Sequence, residues 1–180
     1  MPRRQPLPRL WLMTDERVGG DLLAALERLP RGSGVIFRHY ATPPAERRRL
    51  FETVRAVTRR RRLLLLLAGS PREAIAWRAD GVHGRSGHVR TARRLMRTAP
   101  AHGRREAIGA ARVKADLILL SPVFATRSHP GAKSLGPIRF GLACAKRCGI
   151  IALGGMDAQR FKRLRALGAY GWAAIDALTR

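Results

Sequence analysis

The sequence predicts one α/β domain over residues 1–180, a small (β/α)8 TIM barrel whose last helix is truncated. Eight short apolar runs alternate with segments of helical period, the pattern of parallel strands joined by crossover helices. The Leu63–Leu67 run is apolar at every position, as a strand buried on both faces requires. An open doubly wound sheet is the alternative. It is disfavoured because no glycine-rich nucleotide loop of the GxGxxG or GxxxxGK[ST] kind occurs.

The first strand is expected over LWLMT, residues 10–14, ending at Thr14-Asp15. Leu22, Ala25, Leu26 and Leu29 then share one helical face, with Asp21 as the expected N-cap. Gly32-Ser33-Gly34 reads as a turn into a second strand, Val35–Phe37, which ends at Arg38-His39-Tyr40. Thr42-Pro43 opens the next helix, because proline is tolerated in a first turn. Leu50, Val54 and Val57 are expected inward there, and Arg47, Arg48, Arg55 and Arg59 outward. The third strand is Leu63–Leu67. Ser70-Pro71-Arg72-Glu73 is a capping box for a short helix through Ile75 and Trp77.

Gly81-Val82-His83 is a short fourth strand, followed by a polar loop from Gly84 to His88 and a helix near Thr91 to Arg97. A fifth strand is expected within Thr98 to His102, and Ala107, Ile108 and Ala111 mark the helix after it. The sixth strand falls at 116–120, its helix at 137–148, and the seventh strand at 150–153. Asp157 caps the next helix, with Phe161, Leu164 and Leu167 inward, and Gly171–Ile175 is the eighth strand. The barrel bottom is then left for the Met1–Arg9 segment or a partner in a homodimer to cover.

The formal net charge is +24, and of 36 basic residues only Lys114, Lys133, Lys146 and Lys162 are lysine. Such a charge suits nucleic acid or an acidic membrane surface. The arginines are nevertheless spread along outer helix faces without interleaved aromatics, which reads as a solvated basic exterior. No apolar run is long enough to span a bilayer and no secretory signal is visible, so no membrane association and a cytoplasmic setting are expected. Cys144 and Cys148, four apart on one helix, have no second ligand pair for zinc. They read as reduced helix residues, with Cys148 nearer the buried face.

Chemistry gathers where strands six and seven end. Gly154-Gly155 permits a phosphate close to backbone N–H groups at a helix N-terminus. Thr126 and Ser128, in the polar loop before it, supply hydroxyls, and His129 and Lys133 supply charge. In barrels phosphate often sits after strands seven and eight. A small-molecule phosphate ester is therefore the expected ligand class. The plainer reading is that the glycines serve a tight turn.

The stretches SPVFATRSHPGAKSLG and IIALGGMDAQRFKRLRALGAYGWAAIDAL resemble the loop after strand six and the strand seven to strand eight segment of the thiamine phosphate synthase/TenI superfamily. LWLMTD and ADGVHGRSG are similar to its first and fourth strands. The resemblance implies a barrel that binds a thiazole phosphate. In the synthase, it also implies a pyrimidine diphosphate joined to the thiazole phosphate with loss of pyrophosphate and the help of Mg2+. On this footing Thr126 and Ser128 fall on hydroxyls that hold the thiazole phosphate, and His129 on a lysine that contacts pyrophosphate. Gly154 and Gly155 match the phosphate-binding glycines. Arg38 matches the arginine of the strand-two motif, while Ile36 and Tyr40 replace its glutamine and lysine.

The family's magnesium-binding residues are not matched. The Asn-Asp pair after strand three becomes Ala68-Gly69, and the acid after strand four falls near His88. Hard divalent cations need oxygen ligands, so Mg2+ would have to be held by substrate and water, or not at all. Arg38, Arg85, Arg127 or Lys133 could then offset pyrophosphate charge. The serine after strand eight falls on Asp176, either a repulsive charge in the site or a helix N-cap. The histidine used by TenI-type isomerases falls on Pro122. His83 and His102, at strand ends, are the candidate acid/base residues. Three functions follow: a divergent thiamine phosphate synthase, a TenI-like isomerase or non-catalytic thiazole or thiamine phosphate-binding paralogue, and a basic nucleic-acid-binding barrel.

Overall fold

The computed structural model describes residues 6–19, 21–85, 95–126, 131, 133–144 and 149–179. Its strands are β1 (Leu10–Met13), β2 (Gly34–Phe37), β3 (Leu64–Ala68), β4 (Gly81–His83), β5 (Met96–Ala101), β6 (Leu117–Leu120), β7 (Ile150–Leu153) and β8 (Gly171–Ala174). The helices are α1 (Asp21–Arg28), α2 (Pro44–Arg61), α3 (Pro71–Ala76), α4 (Arg104–Arg112), α5 (Gly136–Cys144), α6 (Ala158–Arg165) and α7 (Asp176–Thr179). A 3-10 turn at Glu16–Val18 follows β1. Every neighbouring strand pair is parallel, and β8 pairs with β1, so the sheet closes into an eight-stranded barrel. The predicted fold class is the one observed.

Alternation along each strand divides the core. Trp11, Met13, Ile36, Leu66, Met96, Leu117, Leu119, Ile151 and Ala173 fill the barrel interior. Leu12, Val35, Phe37, Leu65, Leu67 and Val82 point outward against α1, α2 and α3. On the other side Ile118, Leu120, Ile150 and Ala152 pack under α4, α5 and α6, with Phe140, Ala143 and Leu164 from the helices. Both faces of the sheet are thus dry, which is why the strands lack polar alternation.

The bottom of the barrel is covered by the segment before β1. The indole Nε1–H of Trp11 donates to the Pro8 carbonyl (2.9 Å), and the Tyr170 hydroxyl donates to that of Leu7 (2.7 Å). Leu7 itself packs onto the interior cluster. The short α7 leans on α1, where Arg28 donates to the Thr179 carbonyl.

Several expectations are corrected. β5 begins at Met96, in register with Gly81, so Arg97 is in the sheet and not at a helix end. The helix expected from Thr91 otherwise falls on residues 91–94, outside the described residues. The run was masked in sequence by Arg97, whose backbone N–H and guanidinium are tied to Asp116 and the Val113 carbonyl, and by Pro100 within the strand. Asp21 is the first residue of α1 rather than its cap. Pro43 is the N-cap of α2, with Pro44 at N1. Phe51 is buried where Leu50 is only half-buried, Ala110 rather than Ala111 faces inward, and Leu167 lies exposed past the end of α6. Cys144 is the buried cysteine, and Cys148 lies outside the described residues.

Arg47 is the largest departure. It was expected on the solvent side of α2, yet its guanidinium bonds Glu73 (3.0 Å), the Ala68 carbonyl (2.8 Å) and the Arg38 carbonyl (3.0 Å). It also lies over the rings of Trp77 and Phe37, at 5.1 and 5.7 Å from their centroids. The first turn of α2 sits at the ends of β2 and β3, where a long side chain reaches open carbonyls.

Gly34 faces the Trp11 ring so closely that a Cβ there would lie 2.2 Å from it. Gly34→Ala is therefore expected to lower stability by about 1–3 kcal/mol, as overpacked cores do. Urea denaturation would show it, and an unchanged midpoint would contradict this account of the barrel floor.

Candidate functional site

Eight parallel strands present all their carboxyl ends to one side, so whatever polar residues follow them are brought together. A cavity of about 800 Å3 opens there, bordered by residues at or after every strand except β3. Met13, Leu119, Leu153 and Ala174 give it an apolar floor. Of the residues singled out in the sequence, Arg38, His83, His102, Thr126, Gly154, Gly155 and Asp176 all border it. Ser128 and His129 lie outside the described residues, as does Arg127. Lys133 is exposed and is not part of the cavity wall.

Arg38 is held by the end of β1. The Thr14 hydroxyl accepts from the Arg38 backbone N–H (3.0 Å), and Arg38 Nε donates to the Thr14 carbonyl (2.9 Å). An ion pair with Asp15 fixes the other end of the guanidinium. Burial works to raise the Asp15 carboxyl, but hydrogen bonds from Arg17 and the charges of Arg38 and Arg17 outweigh it and hold it below its ordinary value. Thr14 also pairs with His39 Nδ1 (2.9 Å), whose ring stacks on Phe37. Asp15, Arg17 and His39 went unrecognised in the sequence. Only the turn after LWLMT hinted at the first.

The two histidines differ. His83 is buried, with Nδ1 2.8 Å from the Thr98 hydroxyl. Burial, aided by the Arg38 charge, pushes its imidazole down to about 4, so it is neutral at physiological pH. His102 is exposed and bonds Glu106 through both its backbone N–H (3.2 Å) and Nδ1 (3.1 Å). Arg85 reaches the same carboxylate (3.2 Å). The hydrogen bond from His102 is the main reason that Glu106 is held below the usual carboxylate range. His102 is thus solvent-accessible and set against a carboxylate, whereas His83 is buried and neutral.

Across the cavity the loops after β6 and β7 are clasped together. Val123 N–H donates to the Leu153 carbonyl (2.9 Å) and Phe124 N–H to that of Gly154 (3.1 Å). Both glycines have positive φ, at 92° and 59°. A Cβ on Gly154 would lie 2.7 Å from Pro122, and one on Gly155 2.4 Å from the Ala125 carbonyl. The clasp alone therefore requires glycine at both positions. Arg160, which the sequence reading missed, spans it. It lies 5.0 Å from the Phe124 ring centroid, donates to the Gly155 carbonyl, and shares α6's N-terminus with Asp157, which accepts from the Arg160 N–H (2.8 Å). Its signal is its place one turn into the helix after Gly-Gly.

Asp176 is the first residue of α7 rather than its cap. Its charge acts on Arg17, which Asp15 first and Asp176 last hold more firmly protonated. The cavity wall thus carries three arginines, Arg38, Arg85 and Arg160, against two carboxylates, Asp157 and Asp176. No group of three or more metal-ligating side chains occurs among the described residues. The end of β3 is Ala68-Gly69, with Arg47 on the Ala68 carbonyl, and no Asp or Glu occurs between Asp80 and Glu106. These residues do not fit a magnesium ion. No helix among the described residues is long and apolar enough to cross a membrane.

Known proteins resemble this chain in sequence and in fold. Residues 10–178 match the family described as "Thiamine monophosphate synthase". The chain is 34% identical to "Putative thiamine-phosphate synthase 2" of Aquifex aeolicus (strain VF5), over 94% of this chain and 97% of that one. It is 31% identical to "Thiamine-phosphate synthase" of Methanoregula boonei, over 94% and 84% of the two chains. The solved structure of thiamine phosphate pyrophosphorylase from Pyrococcus furiosus superposes with a TM-score of 0.80 at 24% identity, covering 96% of this chain and 87% of that one.

His83 yields a pH signature. Below its unfolded value near 6.5 the unfolded chain binds a proton that the native chain refuses until about 4. Stability should therefore fall as pH drops through that window, by up to about 1.4 kcal/mol per pH unit from this residue. In His83→Gln the slope measured by denaturation between these limits should be shallower. An identical slope would show that His83 is protonated in the fold.

Proposed function

The chain belongs to the thiamine monophosphate synthase family, and on that premise we propose that it joins a hydroxymethylpyrimidine diphosphate to a thiazole phosphate in thiamine biosynthesis, in a cytoplasmic setting. The observation that carries this reading is the clasp of Gly154-Gly155 with the loop that bears Thr126, set beside three arginines in one cavity. It supports a thiazole phosphate at the β6–β7 side, near the start of α6, where backbone N–H groups and the helix end favour an anion. The diphosphate lies toward Arg38 and Arg85, on the β2 to β4 side.

The thiazole nitrogen forms a bond to the pyrimidine's methylene carbon as that carbon's bond to the diphosphate oxygen breaks, and pyrophosphate leaves with the electron pair and added negative charge, so catalysis needs fixed positive charge at that group. Arg38 provides it in a pre-set orientation, because Thr14 and Asp15 hold its guanidinium. Arg85 provides it from an exposed position next to His102, which can hand a proton to the departing anion. Guanidinium groups carry the charge in these steps, since the positions of the family's magnesium ligands hold Ala68-Gly69 and no Asp or Glu lies between Asp80 and Glu106. His83, neutral and hydrogen-bonded, orients rather than titrates.

Calorimetric titration with thiazole phosphate, thiamine phosphate and pyrophosphate, each with and without Mg2+, tests the proposal. Micromolar binding of the thiazole-containing esters is expected, with pyrophosphate binding unchanged by chelator. Thr126→Ala should weaken thiazole phosphate about tenfold, the cost of one hydrogen bond to a charged group, and leave pyrophosphate unaffected. Binding without turnover would favour a non-catalytic paralogue. Failure of every ester to bind would refute the site.

A further inference from the structure

The face opposite the cavity is made by the turns that lead from each helix into the next strand. In six of these turns a residue adopts the left-handed backbone conformation. Three are glycines, Gly32, Gly149 and Gly168; the others are Arg62, Arg78 and Lys114, with φ of 56°, 57° and 56°. Glycine takes this conformation freely, whereas a residue with a Cβ does so at a cost. In each of these six described turns that lacks glycine, a cation stands in its place.

The three cations are exposed and take part in no ion pair among the described residues. Arg31, Arg59 and Arg112, in or beside the same turns, are exposed as well. The acids on this side are engaged: Asp80 and Asp116 accept from the backbone N–H groups of Leu65 (2.9 Å) and Arg97 (2.7 Å), and Glu27 pairs with Arg60 and Arg61. A helix C-terminus favours a nearby cation, but a lysine or arginine one residue earlier would serve that purpose without backbone strain. The dipole accounts for the sign of these residues and not for their placement.

We infer that this amino-end face is a docking surface for the phosphate backbone of a nucleic-acid duplex. Of the chain's 36 basic residues, the topology of the barrel brings Arg31, Arg59, Arg62, Arg78, Arg112 and Lys114 to this one face, all of them exposed. No aromatic ring is exposed on this face among the described residues, so bases have no stacking platform. Contacts to phosphates position a duplex without reading its sequence. The inference is independent of what the cavity binds.

Fluorescence anisotropy of a labelled random-sequence DNA duplex, with the full chain at about 50 to about 200 mM salt, tests it. Steep salt dependence is expected. The variant Arg62→Gly/Arg78→Gly/Lys114→Gly should keep or raise Tm, because glycine relieves the backbone. Its affinity should drop at least about tenfold, and its log–log salt slope should shrink by about 2.7, near 0.9 for each lost contact. Removing as many charges elsewhere, in Arg104→Ser/Arg105→Ser/Arg139→Ser, should cost less than about twofold on the same scale. Equal losses in both variants would overturn the inference. So would no duplex binding at the lower salt, duplex displaced by saturating pyrophosphate, or capture by phosphatidylserine vesicles without capture of duplex.

Discussion

The Trp11 indole on the barrel floor is the contact on which the rest of the structure depends. Its ring fills the space that Gly34 leaves open, and its N–H ties the Pro8 carbonyl beneath. A closed eight-stranded barrel has an interior that side chains must fill without gaps. Here that filling is uneven in size: a tryptophan and two methionines, Met13 and Met96, beside Ala68 and Ala173. Small residues on one strand make room for large ones on the next. Strand order, register and the direction of every carboxyl end follow from this packing.

With the scaffold closed, function concentrates in what the strand ends hold rigid. Arg38 is not a free surface arginine, because three polar groups of the β1 end fix it before any ligand arrives. The β6–β7 clasp is equally constrained, with two glycines wedged against Pro122 and Ala125 and Arg160 laid across them. Such pre-orientation lowers what a phosphate ester must give up on binding. The end of β3 is the exception. Its carbonyl is covered by Arg47, whose guanidinium is paired to Glu73. The cavity wall thus carries guanidinium groups from the β2, β4 and α6 sides, in a chain whose relatives are named for thiamine phosphate synthesis.

The strands, most helices and the gathering of Arg38, His83, His102, Thr126, Gly154, Gly155 and Asp176 were legible because short apolar runs and their ends are local signals. What was not legible depended on neighbours distant in the chain. Arg47 and Arg55 look alike on α2, yet only Arg47 meets Glu73 and the β3 end. His83 and His102 both follow short strands. Burial beside Thr98 keeps one neutral, and the other lies exposed against Glu106. Arg97 hid the start of β5 because its partner, Asp116, lies across the sheet in the next turn.

The sequence by itself determined the class of fold, the Gly154-Gly155 turn after β7 and the lack of any Asp or Glu between Asp80 and Glu106. These rest on periodicity, on glycine and on residue identity, none of which needs a neighbour. Only the tertiary structure decided which arginines border the cavity, which brace the scaffold and which lie on the opposite face. A guanidinium on a long stem takes its role from the carbonyl, ring or carboxylate within reach, and barrel closure sets that reach.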